Sequence, residues 1–341
     1  MTKNGVTLRV EPGYIALYHS GELKRRAEVL ETRLSSCDIC PWECGTNRME
    51  NESAFCHSSC LPIVSATCVH RGEEPPISGS RGSGTIFFGN CNMRCVYCQN
   101  HQISQNYEVQ QSKEIDIYTL AERMLYLQDE PKCHNINFVS PSPFVPQLVQ
   151  AMLEAAPMGL RLPLVYNTSS YDSIKSLKEL NGIISIYLAD LRYASNKWGR
   201  KFSRVTDYVE RSRAAIQEMY QQVGELVVDD DGIAQRGLIV RHLILPNQLA
   251  GSQDSLAWLT REVSPTVTVS IMSQYFPTHL ASRIPLLSRT ISSAEYSEVI
   301  GLVDTLGIEN GWTQETGASE NYIPDFTREG DPFPATVSKP K

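Results

Sequence analysis

Three cysteines stand close together in Gly89-Asn-Cys91-Asn-Met-Arg-Cys95-Val-Tyr-Cys98-Gln-Asn, spaced C-x3-C-x2-C. Thiolates are the ligands of iron–sulfur clusters, and soluble electron carriers use four per cluster. Three thiolates on one tight loop leave the fourth iron of a [4Fe-4S] cluster with an open position. An open metal position lets a site bind and transform a ligand rather than only store charge. A structural zinc loop is the competing reading, but zinc sites pair C-x2-C units. Tyr97, between the last two cysteines, is expected to pack near whatever the loop binds.

S-adenosylmethionine (SAM) suits such a position, which its methionine amine and carboxylate can fill. An electron passed into the adjacent sulfonium breaks a carbon–sulfur bond and yields a 5′-deoxyadenosyl radical. The cofactors carry this chemistry, and the protein positions them.

A second group precedes the loop. Cys37, Cys40 and Cys44 are spaced C-x2-C-x3-C, and Cys56, Cys60 and Cys68 follow. Cys37, Cys40, Cys44 and Cys56 would close a tetrahedral zinc site or a complete second [4Fe-4S] cluster equally well. Cys60 or Cys68 could replace one of them, and Cys133 reads as an ordinary buried residue. Ten cysteines clustered this way favour metal ligation over disulfides. The opening residues Met1-Thr-Lys-Asn-Gly-Val-Thr lack a signal-peptide pattern, and no apolar run nears the roughly 20 residues that span a bilayer. The expected location is the cytoplasm. A net charge of −7 argues against non-specific nucleic-acid binding.

The elements that must position these residues alternate between strand and helix. Expected strands are 85–89, 136–140, 162–167, 183–189, 238–245 and 267–272. Ile117, Leu120, Met124 and Leu127 mark one helix face between them, and Val205, Val209, Ile216 and Met219 another. Six strands separated by helices imply parallel βαβ units. Polar residues close the strands: Asn90, Ser140, Asn167, Asp190, Asn247 and Gln274. In parallel α/β barrels those strand ends carry the active site. Residues 1–36 read as a polar, partly helical segment, 37–80 as the cysteine-rich segment, 81–310 as the strand–helix body and 311–341 as a loosely ordered tail. Arg71 to Gly84 reads as a linker or irregular loop.

The C-x3-C-x-aromatic-C loop resembles the radical SAM superfamily. Longer stretches are similar to an uncharacterised branch related to pyruvate formate-lyase activating enzymes: Cys37-Asp-Ile-Cys40-Pro-Trp-Glu-Cys44-Gly-Thr-Asn-Arg48, Cys98-Gln-Asn100-His-Gln-Ile-Ser104 and His134-Asn-Ile-Asn-Phe-Val-Ser-Pro-Ser-Pro143. Others are Tyr166-Asn-Thr-Ser-Ser-Tyr-Asp172, Ile186-Tyr-Leu-Ala-Asp-Leu-Arg-Tyr193, Arg241-His-Leu-Ile-Leu-Pro246 and Ile271-Met-Ser-Gln-Tyr275. The resemblance implies a partial (β/α)6 barrel with the cluster at its mouth. It implies SAM contacts from Tyr97, Asn100, Ser140, Ser142 and Asn167, although Ser-Pro-Ser-Pro stands where the superfamily often has glycines. Asp190 and Arg192 match an Asp-x-Lys pattern near SAM or substrate, with arginine changing the donor geometry. His242 matches a position near the SAM ribose; a lone histidine in an apolar strand is otherwise a core residue.

The resemblance further implies a reductant such as flavodoxin or ferredoxin, and a protein or peptide substrate if a glycyl-radical partner is activated. A nucleotide or small metabolite is equally compatible. A non-enzymatic electron-transfer or metal-binding protein would need a fourth ligand for the loop. A SAM methyltransferase would need a glycine-rich strand-to-helix turn where the cysteine loop stands.

Overall fold

A computed structural model describes residues 11–51, 54–314, 324–328 and 330–333. It is a mixed α/β structure around one largely parallel sheet of nine strands. These are β1 Val64–His70, β2 Ser83–Phe88, β3 Ile136–Val139, β4 Leu164–Thr168, β5 Ile186–Asp190, β6 Val227–Val228, β7 Ala234–Leu243, β8 Thr268–Met272 and β9 Gly311–Thr313. The order is β1-β2-β3-β4-β5-β7-β8-β9. Only β1 on β2 and β6 on β7 are antiparallel.

The six strands read from the sequence correspond to β2, β3, β4, β5, β7 and β8. Side chains alternate across the pleat. On one face Ile86, Phe88, Phe138, Tyr166, Val240 and Ile271 join the main core. The helices contributing to it include α1 Glu22–Thr32, α2 Ile117–Asp129, α3 Val145–Ala155 and α4 Tyr208–Val223. In α2 the stripe Leu120, Met124 and Leu127 is buried, as the spacing requires. On the other face Val165, Ile186, Leu188 and Ile239 close over Ile77 in a smaller apolar cluster. Further along that face the residues turn polar: Asn167, Asp190, Arg241 and Ser270.

Two segments differ from expectation. The stretch 71–84 is not a plain linker: it holds the short helix Pro75–Ser78, buries Ile77 under the sheet, and begins β2. The tail also starts inside the sheet, because β9 pairs in parallel with β8. The sheet therefore runs across both 80/81 and 310/311, where the sequence changes character. The described residues of the tail pack as well, with Phe333 stacked on His70 and Phe326 edge-on to Phe87. Among the described residues no helix is long and apolar enough to cross a membrane.

Candidate functional site

The chain leaves β2 through Gly89, where a Cβ would come within 2.4 Å of Gln110 Oε1 and Ile63 Cγ2. Asn90 then adopts a left-handed φ of 61° and donates through Nδ2 to the His57 carbonyl. This turn delivers Cys91, Cys95 and Cys98 to a cavity of about 460 Å³ at the C-terminal ends of the parallel strands. Its wall includes Tyr97, Asn100, Ser140, Asn167, Asp190 and Arg192. Of the polar strand-end residues, Ser140, Asn167, Asp190 and Gln274 line the cavity, while Asn90 and Asn247 do not.

Each loop sulfur meets a donor. Ser203 Oγ donates to Cys95 Sγ at 3.0 Å, Ser104 Oγ lies 3.3 Å from Cys98 Sγ, and the Met93 N–H lies 3.4 Å from Cys91 Sγ. Behind Ser203 the bonds continue to Tyr193 at 2.8 Å and from Tyr97 to Tyr193 at 2.5 Å. Burial, then the neighbouring Cys95, raises the Cys91 pKa and pushes that of Cys98 up to about 12. Such thiols ionise when a metal cation compensates the charge. Among the described residues no three His, Cys, Asp or Glu side chains converge closely enough to hold a single metal ion. Three cysteines lining one cavity, each sulfur with a hydrogen-bonding neighbour, are a thiolate donor set whose chemistry fits an iron–sulfur cluster.

The cavity floor is charged. Arg241 makes a bidentate pair with Glu74, Nε and Nη2 donating at 2.7 and 2.6 Å, and Nη2 also reaches Glu73. Glu73 accepts from Asn137 at 2.8 Å. Burial works to raise the Glu73 pKa, but Arg241 and His70 outweigh it and hold it below the usual range. Arg192 pairs with Asp190 at 2.5 Å, yet burial keeps the Asp190 pKa raised. Arg192 lines the cavity, while its buried Nε has no hydrogen-bond partner among the described residues.

Two expected contacts lie elsewhere. Ser142 is buried beside Thr168, 3.3 Å away, in a network in which Thr168 and Tyr166 donate to Asp172. His242 is fully buried, with Nδ1 2.8 Å from the Leu191 carbonyl and Nε2 2.9 Å from Ser252 Oγ. Burial lowers its pKa to about 4, so it is a neutral core residue. Neither lines the cavity. The pleat explains the histidine: its neighbour Arg241 holds the cavity side of β7. Glu73, Glu74 and Arg241 were missed from sequence. An arginine in an otherwise apolar strand was the available signal for the last.

The N-terminal cysteines form a separate group. Burial, with Cys56, Cys37 and Cys44 adding to it, pushes the Cys40 pKa well up, so these four lie within electrostatic reach. None of them lines the cavity. Cys60 contributes its carbonyl to Gln147, Cys68 packs with Phe87 and Phe333, and Cys133 lies in the main core. Trp42 joins the two regions: its Nε1 donates to the Asn92 carbonyl at 2.8 Å, and its ring stacks on Phe55.

No protein-family model matches the chain. It is similar to the uncharacterized protein MJ0674 of Methanocaldococcus jannaschii, 26% identical over 294 residues that cover 84% of this chain and 80% of that protein.

Proposed function

We propose that this protein is a radical SAM enzyme, with Cys91, Cys95 and Cys98 holding a [4Fe-4S] cluster and the sheet curling into a partial (β/α)6 barrel around the cavity. One observation carries the reading. A C-x3-C-x2-C loop leaves the first parallel strand and sets its three sulfurs along a polar cavity at the strand ends. When bound, the cluster and SAM supply reductive carbon–sulfur cleavage and a radical that abstracts hydrogen from a substrate.

The chain's own residues have definite tasks. Ser203 and Ser104 hold hydrogen bonds to the thiolates, which stabilise their charge. Arg192 lines the cavity with a positive charge for an acceptor on the ligand, and its ion pair with Asp190 holds it in place. Tyr97, Met93 and Tyr275, all buried, exclude water beside the loop. Glu73, Glu74 and Arg241 form a fixed charged floor beneath the substrate space. We also infer that Cys37, Cys40, Cys44 and Cys56 make a closed four-thiolate site for zinc or a second [4Fe-4S] cluster. The proposed partners are a flavodoxin or ferredoxin as reductant and a substrate that includes, among the possibilities of this chemistry, a protein or peptide.

The test is anaerobic reconstitution with iron and sulfide, then reduction by dithionite with SAM. Deoxyadenosine is expected from the wild type and none from the variant with Cys91, Cys95 and Cys98 all changed to Ala. A loaded, reducible wild-type cluster that gives no deoxyadenosine would replace this reading with an electron-transfer protein.

A further inference from the structure

The helix Asn196–Ser203 carries Lys197, Arg200 and Lys201, and Arg204 follows it. All four are exposed; spacings of three and four residues put Lys197, Arg200 and Lys201 on one side of the helix, and Arg204 caps its end with a left-handed φ of 58°. Among the described residues none of them has an acidic partner within ion-pair distance. The next acids along the chain have other partners, Asp207 pairing with Arg211 and Glu210 accepting from Asn196 at the start of this helix. In a chain of net charge −7 this face inverts the prevailing sign.

The other side of the same helix supports the cysteine loop. The carbonyls of Phe202 and Ser203 accept from the N–H groups of Val96 and Arg94 at 2.8 and 3.0 Å. Ser203 Oγ bonds Cys95 Sγ, so the exposed Lys201 and Arg204 flank a residue that touches a cluster ligand. Trp198, half-buried between the cations, stacks on the buried Phe202 with ring centroids 5.3 Å apart. None of the cations lines the cavity, so a partner seated here leaves it open to ligand.

We propose that this basic face is the docking surface for a small acidic one-electron carrier protein. The inference rests on reading the loop as a cluster site. In the encounter the carrier is oxidised by one electron and the group held by Cys91, Cys95 and Cys98 is reduced by one; no bond forms or breaks. Exposed charge without an acidic counter-ion raises encounter rates with a partner of opposite sign. Electron-transfer complexes are small and short-lived, so one helix face is enough surface. A solvated helix face without a partner would show no such dependence on the sign of the carrier.

The experiment compares the reconstituted wild type with the variant K197E/R200E/K201E/R204E. Each is reduced by flavodoxin hydroquinone in a stopped-flow instrument, and separately by dithionite, which needs no docking face. The variant is expected to lose about tenfold or more in the flavodoxin-driven rate at low salt, and the two proteins to converge at high salt. Dithionite-driven deoxyadenosine formation is expected to stay the same. Equal flavodoxin-driven rates would overturn the proposal, and oligonucleotide binding lost in the variant alongside them would assign the face to nucleic acid. If the variant also loses dithionite-driven turnover, the single changes K201E and R204E decide the matter by the same ratio. A wild type that gives no deoxyadenosine with dithionite refutes the reading of the loop rather than that of the face.

Discussion

The two cysteine regions use the same side chain and similar spacings, yet they differ in what their sulfurs face. Cys91, Cys95 and Cys98 follow a buried parallel strand and line the cavity with strand-end polar residues. Cys40 has Cys37, Cys44 and Cys56 within electrostatic reach, away from the cavity, in a segment whose only regular element among the described residues is the turn of 3-10 helix Arg48–Glu50. Their segment is folded by backbone bonds such as Cys37 N–H to the Thr46 carbonyl and Gly45 N–H to the Cys37 carbonyl. Spacing alone therefore does not decide whether cysteines line the cavity. The element that precedes them does, because the end of a parallel strand aims a loop into the cavity and an irregular coil does not.

The sharpest break between the regions comes from single changes. Cys95→Ala is expected to abolish deoxyadenosine formation, whereas Cys40→Ala should leave turnover per folded molecule and lower the melting temperature, because a metal on the proposed N-terminal site would contribute folding energy. Calorimetry and product assay on the same samples check both halves. If Cys40→Ala removes activity from a protein that melts normally, the N-terminal site takes part in the reaction.

The cavity floor comes next. Arg241→Leu leaves Glu73 and Glu74 buried without their cation, and is expected to cost roughly 3–5 kcal/mol of stability in urea unfolding. The double change with Glu74→Gln should recover part of that loss. An unchanged midpoint for Arg241→Leu would mean the floor is hydrated and its charges do not depend on one another.

The smallest effect belongs to Ser203. Its hydroxyl stabilises charge on Cys95 Sγ, and that charge grows on reduction, so Ser203→Ala should lower the midpoint potential of the loop cluster. Any metal on the N-terminal cysteines should be unaffected. Potentiometric titration followed by EPR reads the shift, and an identical potential would leave the serine a packing role only.

Much of this architecture was legible from periodicity. Six buried strands of branched and aromatic residues announced themselves, and so did the stripe of α2. β1 escaped because Val64–His70 mixes Ser, Thr, Cys and His with its apolar residues, and β6 and β9 are two and three residues long. The cysteine loop was equally legible, since its spacing is local. The charged floor was not, because Glu73 and Arg241 lie 168 positions apart and only the sheet brings them together. The side of β7 taken by His242 was ambiguous for a simpler reason. Apolar residues stand on both faces of its strand and Arg241 and His242 are adjacent, so alternation does not mark which of the two points to the cavity.

The most direct test of the open-site claim is EPR of the dithionite-reduced loop cluster with and without SAM. It is recorded in a background where Cys37, Cys40, Cys44 and Cys56 are replaced by Ser, so that only one centre contributes. A reduced [4Fe-4S] signal is expected whose g-values change when SAM is added, because an iron without a protein thiolate accepts it. A well-formed signal that SAM leaves unaltered would contradict the open-site claim and make the loop a closed electron carrier.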